Sequence, residues 1–180
     1  MKAYLKFEIP RVALFYGAMS GIALIWIYFA DFKFTFFGTQ GIVLATLIAF
    51  TLFVLSNECS DKTKWGQKLT NLFKDMLTPL PTGTILLLAV FSAVGEELLF
   101  RGAIQNQFGL VIASVLFGLM HFPVMPVMIP WTITAMLMGF VLGGLYMYSG
   151  NLLAPILLHF LINFLNIWAM NQKHGFDWTK

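Results

Sequence analysis

Gly95-Glu96-Glu97-Leu98-Leu99-Phe100-Arg101 sets two adjacent carboxylates and a guanidinium inside an apolar run that begins at Thr84. An ionisable side chain at membrane depth costs about 2.5–3.5 kcal/mol on insertion scales, so three within six residues need a compensating arrangement and a task. Glu97 and Arg101 are spaced i, i+4 in the acid-first order and neutralise each other on one helix face. Glu96 is about 100° further round the helix, so its companion must come from another helix. Further polar groups interrupt other apolar runs: His121, which closes Phe117-Gly118-Leu119-Met120-His121, and the i, i+4 pair His159 and Asn163 in His159-Phe160-Leu161-Ile162-Asn163. These residue types suit hydrolysis by an activated water. Glu96 would be the general base, with His121 holding the same water from the opposite side. His159 and Asn163 would donate to the oxyanion that forms when water adds to an amide carbonyl, with Glu97 and Arg101 as the brace. Singly, a His or Asn in a span is as readily an interhelical hydrogen-bonder, and Asn166 and Gln107 are read as of that kind or as interfacial. As a set, each with its own desolvation cost, Glu96, Glu97, His121, His159 and Asn163 point to a site.

The elements that must position them are membrane-spanning helices. Of 180 residues, 59% are hydrophobic and 11% charged, and the mean hydropathy is +0.81, a balance that water-soluble domains do not reach. The expected fold is all-α, a polytopic transmembrane helix bundle of about six spans forming a single membrane domain, 1–180. The spans are placed at 12–30, 38–56, 84–107, 110–122, 131–148 and 152–170, with a catalytic core over 84–170. The first is longer than a signal-peptide core and is followed by Asp31-Phe32-Lys33 rather than a cleavage site, so it reads as a retained span. Between spans two and three, Trp65, Leu69, Leu72, Phe73 and Met76 recur at helical spacing, which fits an amphipathic helix in the interface or an ordinary helix packed on the bundle. Thr78-Pro79-Leu80-Pro81-Thr82-Gly83 breaks the chain before span three, Gly109 ends that span, and Pro123, Pro126 and Pro130 make the connection to span five irregular. Gly139, Gly143 and Gly144 offer a small-residue face for close helix packing. A lone Cys59 excludes an internal disulfide framework.

Six spans put Lys2, Lys6, Arg11, Lys62, Lys64, Lys68, Lys74, Lys173 and Lys180 on one side against Lys33 opposite. The positive-inside rule then makes both termini cytoplasmic, and the basic balance is a topology signal rather than a sign of nucleic-acid binding. Glu96 precedes Gly109 by 13 residues and His121 follows it by 12, so a hairpin at Gly109 would bring them to similar depth. His159 would lie about 13 Å below the outer turn at Gly150, which puts the site within the membrane and nearer the outer face.

Glu96-Glu97-x-x-x-Arg101, Phe117-x-x-x-His121 and His159-x-x-x-Asn163, in this order on successive helices, resemble the three signature motifs of the CPBP family, which contains the CAAX prenyl proteases and the bacterial Abi proteins. The likeness covers roughly residues 84 to 170; the first two spans match only in being hydrophobic. It implies an intramembrane endopeptidase in which Glu96 is the general base with His121, while His159 and Asn163 stabilise the oxyanion. It also implies a membrane-embedded or lipid-anchored protein or peptide as substrate, the lipid bilayer as surroundings, and a bacterial or archaeal cell membrane as location. The chain is short for that family, and prenylated substrates belong to one branch of it. Compact bacterial members resemble enzymes that trim membrane-anchored proteins, process secreted peptides or cut C-terminal sorting helices, and an outward-shifted site suits the last.

A three-ligand zinc centre at Glu96, His121 and His159 is the alternative chemistry. It would consume Glu96 as a ligand and leave Glu97, pinned by Arg101, as the base, so the cofactor-free glutamate mechanism is preferred. Rival functions are a non-proteolytic scaffold or immunity protein on the same fold, against which the intact motifs speak, and a proton-coupled transporter, against which the lack of repeat symmetry speaks.

Overall fold

The computed structural model describes residues 9–77, 79–122 and 125–172; Lys2, Lys6, Thr78, Pro123, Lys173 and Lys180 lie outside them. The described chain is a helical bundle. α1 is Ile9–Phe29, α2 Ile42–Lys62, α3 Lys64–Leu77, α4 Thr82–Glu97, α5 Asn106–Met120, α6 Ile129–Ser149 and α7 Leu153–Gln172. A π-helical stretch, Leu98–Gln105, joins α4 to α5, and a 3₁₀ turn, Pro126–Met128, leads into α6. Among the described residues five helical runs are long and apolar enough to cross a membrane: Ile9–Phe29, Ile42–Lys62, Thr82–Met120, Pro126–Ser149 and Leu153–Gln172. The protein is an integral membrane protein.

The third run is two limbs. Gly109 has φ 83° and ψ 171°, a conformation that carries no helix and that glycine adopts without a Cβ penalty. In an unbroken helix Glu96 and His121 would be about 37 Å apart; their side chains approach to 4.0 Å. The chain therefore reverses at Gly109, and the bundle has six limbs.

The fourth limb is short. From Gly109 to Met120 it rises only about 16 Å, half a bilayer, so α5 ends among other helices, where its last carbonyls need partners. His121 Nδ1 bonds the Phe117 carbonyl at 2.7 Å, and Thr132 Oγ1 donates to the His121 carbonyl at 2.6 Å. The helix end is thus satisfied by the residue that closes it and by the start of α6. Pro130 falls in the first turn of α6, where its missing N–H costs nothing.

Two of the three glycines expected to form a packing face do so. A Cβ on Gly139 would sit 2.8 Å from the Ser114 Cα, and one on Gly143 would sit 2.4 Å from Leu110 Cδ1; at Gly144 it would meet open space. α6 therefore lies against α5 along the Gly139–Gly143 ridge. At one end of the bundle the Thr35 and Phe36 carbonyls accept hydrogen bonds from Leu152 N and Leu153 N. That pairing is why α2 begins at Ile42 rather than at residue 38. At the other end Asn171 accepts from Leu80 N and donates to the Leu80 carbonyl, which ties the end of α7 to the entry of α4. α3 combines both readings of its sequence. Phe73 packs edge-on to Trp131 with centroids 5.2 Å apart, while Trp65 and Met76 stay exposed, as residues of an interfacial helix would.

Candidate active site

α4 carries the acidic pair into the core. Glu97 and Arg101 are fully buried and Glu96 is 9% exposed. Arg101 Nε donates to Glu97 Oε2 at 2.9 Å, the pair expected from their spacing. The helix beyond Glu97 is not the continuous α-helix expected to Gln107 but π-helical from Leu98 to Gln105. Such a widened stretch leaves backbone groups without regular partners and is frequent at functional sites. Asn106 Nδ2 takes up two of them, bonding the Arg101 and Gly102 carbonyls at 3.2 and 2.9 Å. Arg101 is held on three sides: by Glu97, by Gln105 Oε1, which accepts from Nη1 at 3.3 Å, and by the Phe117 ring 5.3 Å below the guanidinium carbon.

α7 brings His159 to the same place. Its Nδ1 lies 2.9 Å from Glu97 Oε1, so Glu97 serves Arg101 with one oxygen and His159 with the other. Its Nε2 lies 4.0 Å from Glu96 Oε2. α5 brings His121, whose Nε2 is also 4.0 Å from Glu96 Oε2. A carbonyl only accepts, so the contact with the Phe117 carbonyl makes His121 Nδ1 the donor, and in the neutral ring Nε2 is an acceptor. Phe117 is the common floor, with ring centroids 4.9 Å from His121 and 5.8 Å from His159. On its far side His121 meets Trp131 at 5.0 Å, and Trp131 meets Phe73, so α3 reaches the edge of the site through two aromatic contacts.

Glu96 Oε2 has no hydrogen-bond partner among the described residues. It faces two imidazole nitrogens at a spacing too long for a direct hydrogen bond. Two hydrogen bonds of about 2.8 Å meeting near a right angle at one oxygen span about 4.0 Å, so each gap has the dimensions of a bridge through a single water.

Asn163 is on the same side of α7, and its Nδ2 donates to Ser92 Oγ at 3.1 Å, one turn before Glu96. Asn166 accepts from Ser56 Oγ at 2.6 Å and is an interhelical bonder as expected. Gln107 is exposed, which fits the interfacial alternative; Gln105 bridges two helices, donating to the Gly143 carbonyl at 3.0 Å. Sequence reasoning missed Ser92, Gln105 and Tyr16, whose hydroxyl donates to Glu96 Oε1 at 3.1 Å. Ser92 and Gln105 stand at helical spacing from Glu96 and Arg101 and were legible in principle. Tyr16 is 80 residues from its partner and left no local signal.

Residues 78–165 match the family described as Type II CAAX prenyl endopeptidase Rce1-like. That part of the chain, just under half of it, is similar to the Rce1-like family. The Rce1-like segment contains Glu96, Glu97, Arg101, His121, His159 and Asn163, in agreement with the resemblance drawn from the three motifs; α1 and α2 lie outside it. An uncharacterized protein of Bacillus subtilis (strain 168), YpbD, is 37% identical over 81 residues, which are 44% of this chain and 41% of that protein. The chain thus spans less than half the length of the curated relative it matches. No solved structure gives a significant match.

Among the described residues no three His, Cys, Asp or Glu side chains are placed to hold a metal ion.

Proposed function

We propose that the protein is an intramembrane endopeptidase that hydrolyses a peptide bond of a membrane-embedded or lipid-anchored protein or peptide, with Glu96 as general base and no metal cofactor. The observation that carries the reading is the convergence of Glu96 Oε2, His121 Nε2 and His159 Nε2 at 4.0 Å spacings on an oxygen with no protein partner among the described residues. Glu96 Oε2 and the acceptor nitrogen of His121 face one another and call for a shared hydrogen donor, and water is the donor that hydrolysis requires.

In the proposed cycle Glu96 and His121 hold the water by its hydrogens. Its oxygen attacks the amide carbonyl carbon as its proton passes to Glu96. His159 acts as an imidazolium, with Nδ1–H on Glu97 and Nε2–H toward the new oxyanion. Before the attack Glu96, Glu97, Arg101 and His159 carry two charges of each sign, and after it the oxyanion replaces the charge of the protonated Glu96, so the buried cluster stays balanced. Asn163, tethered by Ser92, supplies the second donor. Collapse of the tetrahedral intermediate breaks the C–N bond, and the proton on Glu96 passes to the leaving amine. The membrane is a bacterial or archaeal cell membrane with both termini in the cytoplasm.

The test uses the full chain, purified in detergent or bilayers, with a panel of fluorogenic membrane-segment peptides. Wild type should cleave at least one, Glu96→Gln should lose about 10²-fold or more in kcat, and a strong chelator should leave wild type unchanged. Loss on chelation restored by zinc would move Glu96 to a ligand role. Cleavage by Glu96→Gln at the wild-type rate would overturn the mechanism.

A further inference from the structure

We propose that Tyr16 of α1 sets the Glu96 carboxylate for the reaction, a positioning role supplied from outside the Rce1-like segment; it rests on the reading of Glu96 as the base. A carboxylate has two oxygens and a soft terminal torsion. Tyr16 Oη donates to Oε1 at 3.1 Å, and with that oxygen anchored the other is the one that faces His121 and His159. His121 cannot do this, because its Nδ1 is committed to the Phe117 carbonyl. His159 cannot either, because its Nδ1 is committed to Glu97 and its Nε2 stands 4.0 Å from Oε2, beyond direct hydrogen-bond reach. Arg101, the cation of the cluster, is turned to Glu97 and Gln105. Tyr16 is therefore the donor that orients the base.

The approach of α1 is built into α4. A Cβ on Gly95 would lie 3.1 Å from Tyr16 Cδ1 and 3.2 Å from the Tyr16 carbonyl oxygen, tighter than ordinary contact. The residue before Glu96 is thus one that lets the phenol ring come down onto it. Ser20 Oγ donates to that same Tyr16 carbonyl at 2.8 Å.

A phenol that merely finds a partner for its hydroxyl would be replaceable by phenylalanine. An orienting phenol would not. Tyr16→Phe in the full chain should lower kcat about 10- to 100-fold, the loss of one hydrogen bond to a charged group, while KM changes less than about 2-fold because the hydroxyl touches base and not substrate. A second measurement needs neither activity nor a folded Phe variant. With 3-fluorotyrosine at position 16, the fluorine resonance should move when Glu96→Gln removes the charge and stay in place in Gly144→Ala. A resonance indifferent to Glu96→Gln overturns the pairing. A resonance that moves, with Tyr16→Phe at wild-type kcat, overturns the positioning role. If wild type cleaves no peptide, the protease reading fails, and the fluorine response alone decides whether Tyr16 holds Glu96.

Discussion

Glu97 is the residue on which the cluster turns. It accepts from Arg101 on one oxygen and meets His159 on the other, so it fixes both the cation behind the site and the ring in it. Removing its charge leaves Arg101 buried without a full counter-charge, the costly way to break a buried pair. Glu97→Gln should therefore destabilise the protein by about 3–5 kcal/mol in a denaturant titration in detergent. Glu97→Gln combined with Arg101→Leu should recover part of that loss, which a double-mutant cycle measures. Asn163 calls for a different signature. In its proposed role as an oxyanion donor it acts in the transition state, so Asn163→Ala should lower kcat by about 10²–10³-fold with KM little changed. A rise in KM at constant kcat would instead make it a substrate-binding residue.

At the scale of elements, the site depends on a helix that stops early and on two helices that touch closely. α5 ends at Met120 and hands His121 to the site at its terminus; a limb of full length would have carried that ring along a helix flank. The Gly139–Gly143 ridge of α6 presses α5 into register. A Cβ on Gly143 would lie 2.4 Å from Leu110 Cδ1 and 2.5 Å from Gln105 Oε1, so Gly143→Ala should cost about 1–3 kcal/mol by overpacking and disturb the Gln105 support of Arg101. Gly144→Ala, facing open space, should be neutral or stabilising by up to about 1 kcal/mol because alanine is the better helix former. Thermal unfolding of the two variants side by side checks both signs.

For the whole molecule, the six limbs bring the start of α1 and the end of α7 to the same end of the bundle, where Asn171 and Leu80 join the last helix to the fourth limb's predecessor, α4. With the lysine-rich α3 on that side, a C-terminal fusion to a reporter that folds only in the cytoplasm should be active, and one that matures only outside the membrane should be silent. The reverse result would invert the proposed topology. The site draws on α1, α4, α5 and α7 together, so its geometry is a property of the bundle rather than of the Rce1-like segment alone.

The amino-acid sequence by itself determined the membrane class, the reversal at Gly109 and the identity of the six polar positions from Glu96 to Asn163. In an apolar chain each polar residue carries a visible cost, and spacing along one helix, as between Glu97 and Arg101, follows from its period. Only the tertiary structure decided that Glu97 is shared with His159, that the helix widens after the acidic pair, that the fourth limb is half-length, and that Tyr16 stands against Glu96. Those facts depend on how helices cross and how closely they approach, which is set by side-chain packing over the whole bundle and has no signature in local periodicity.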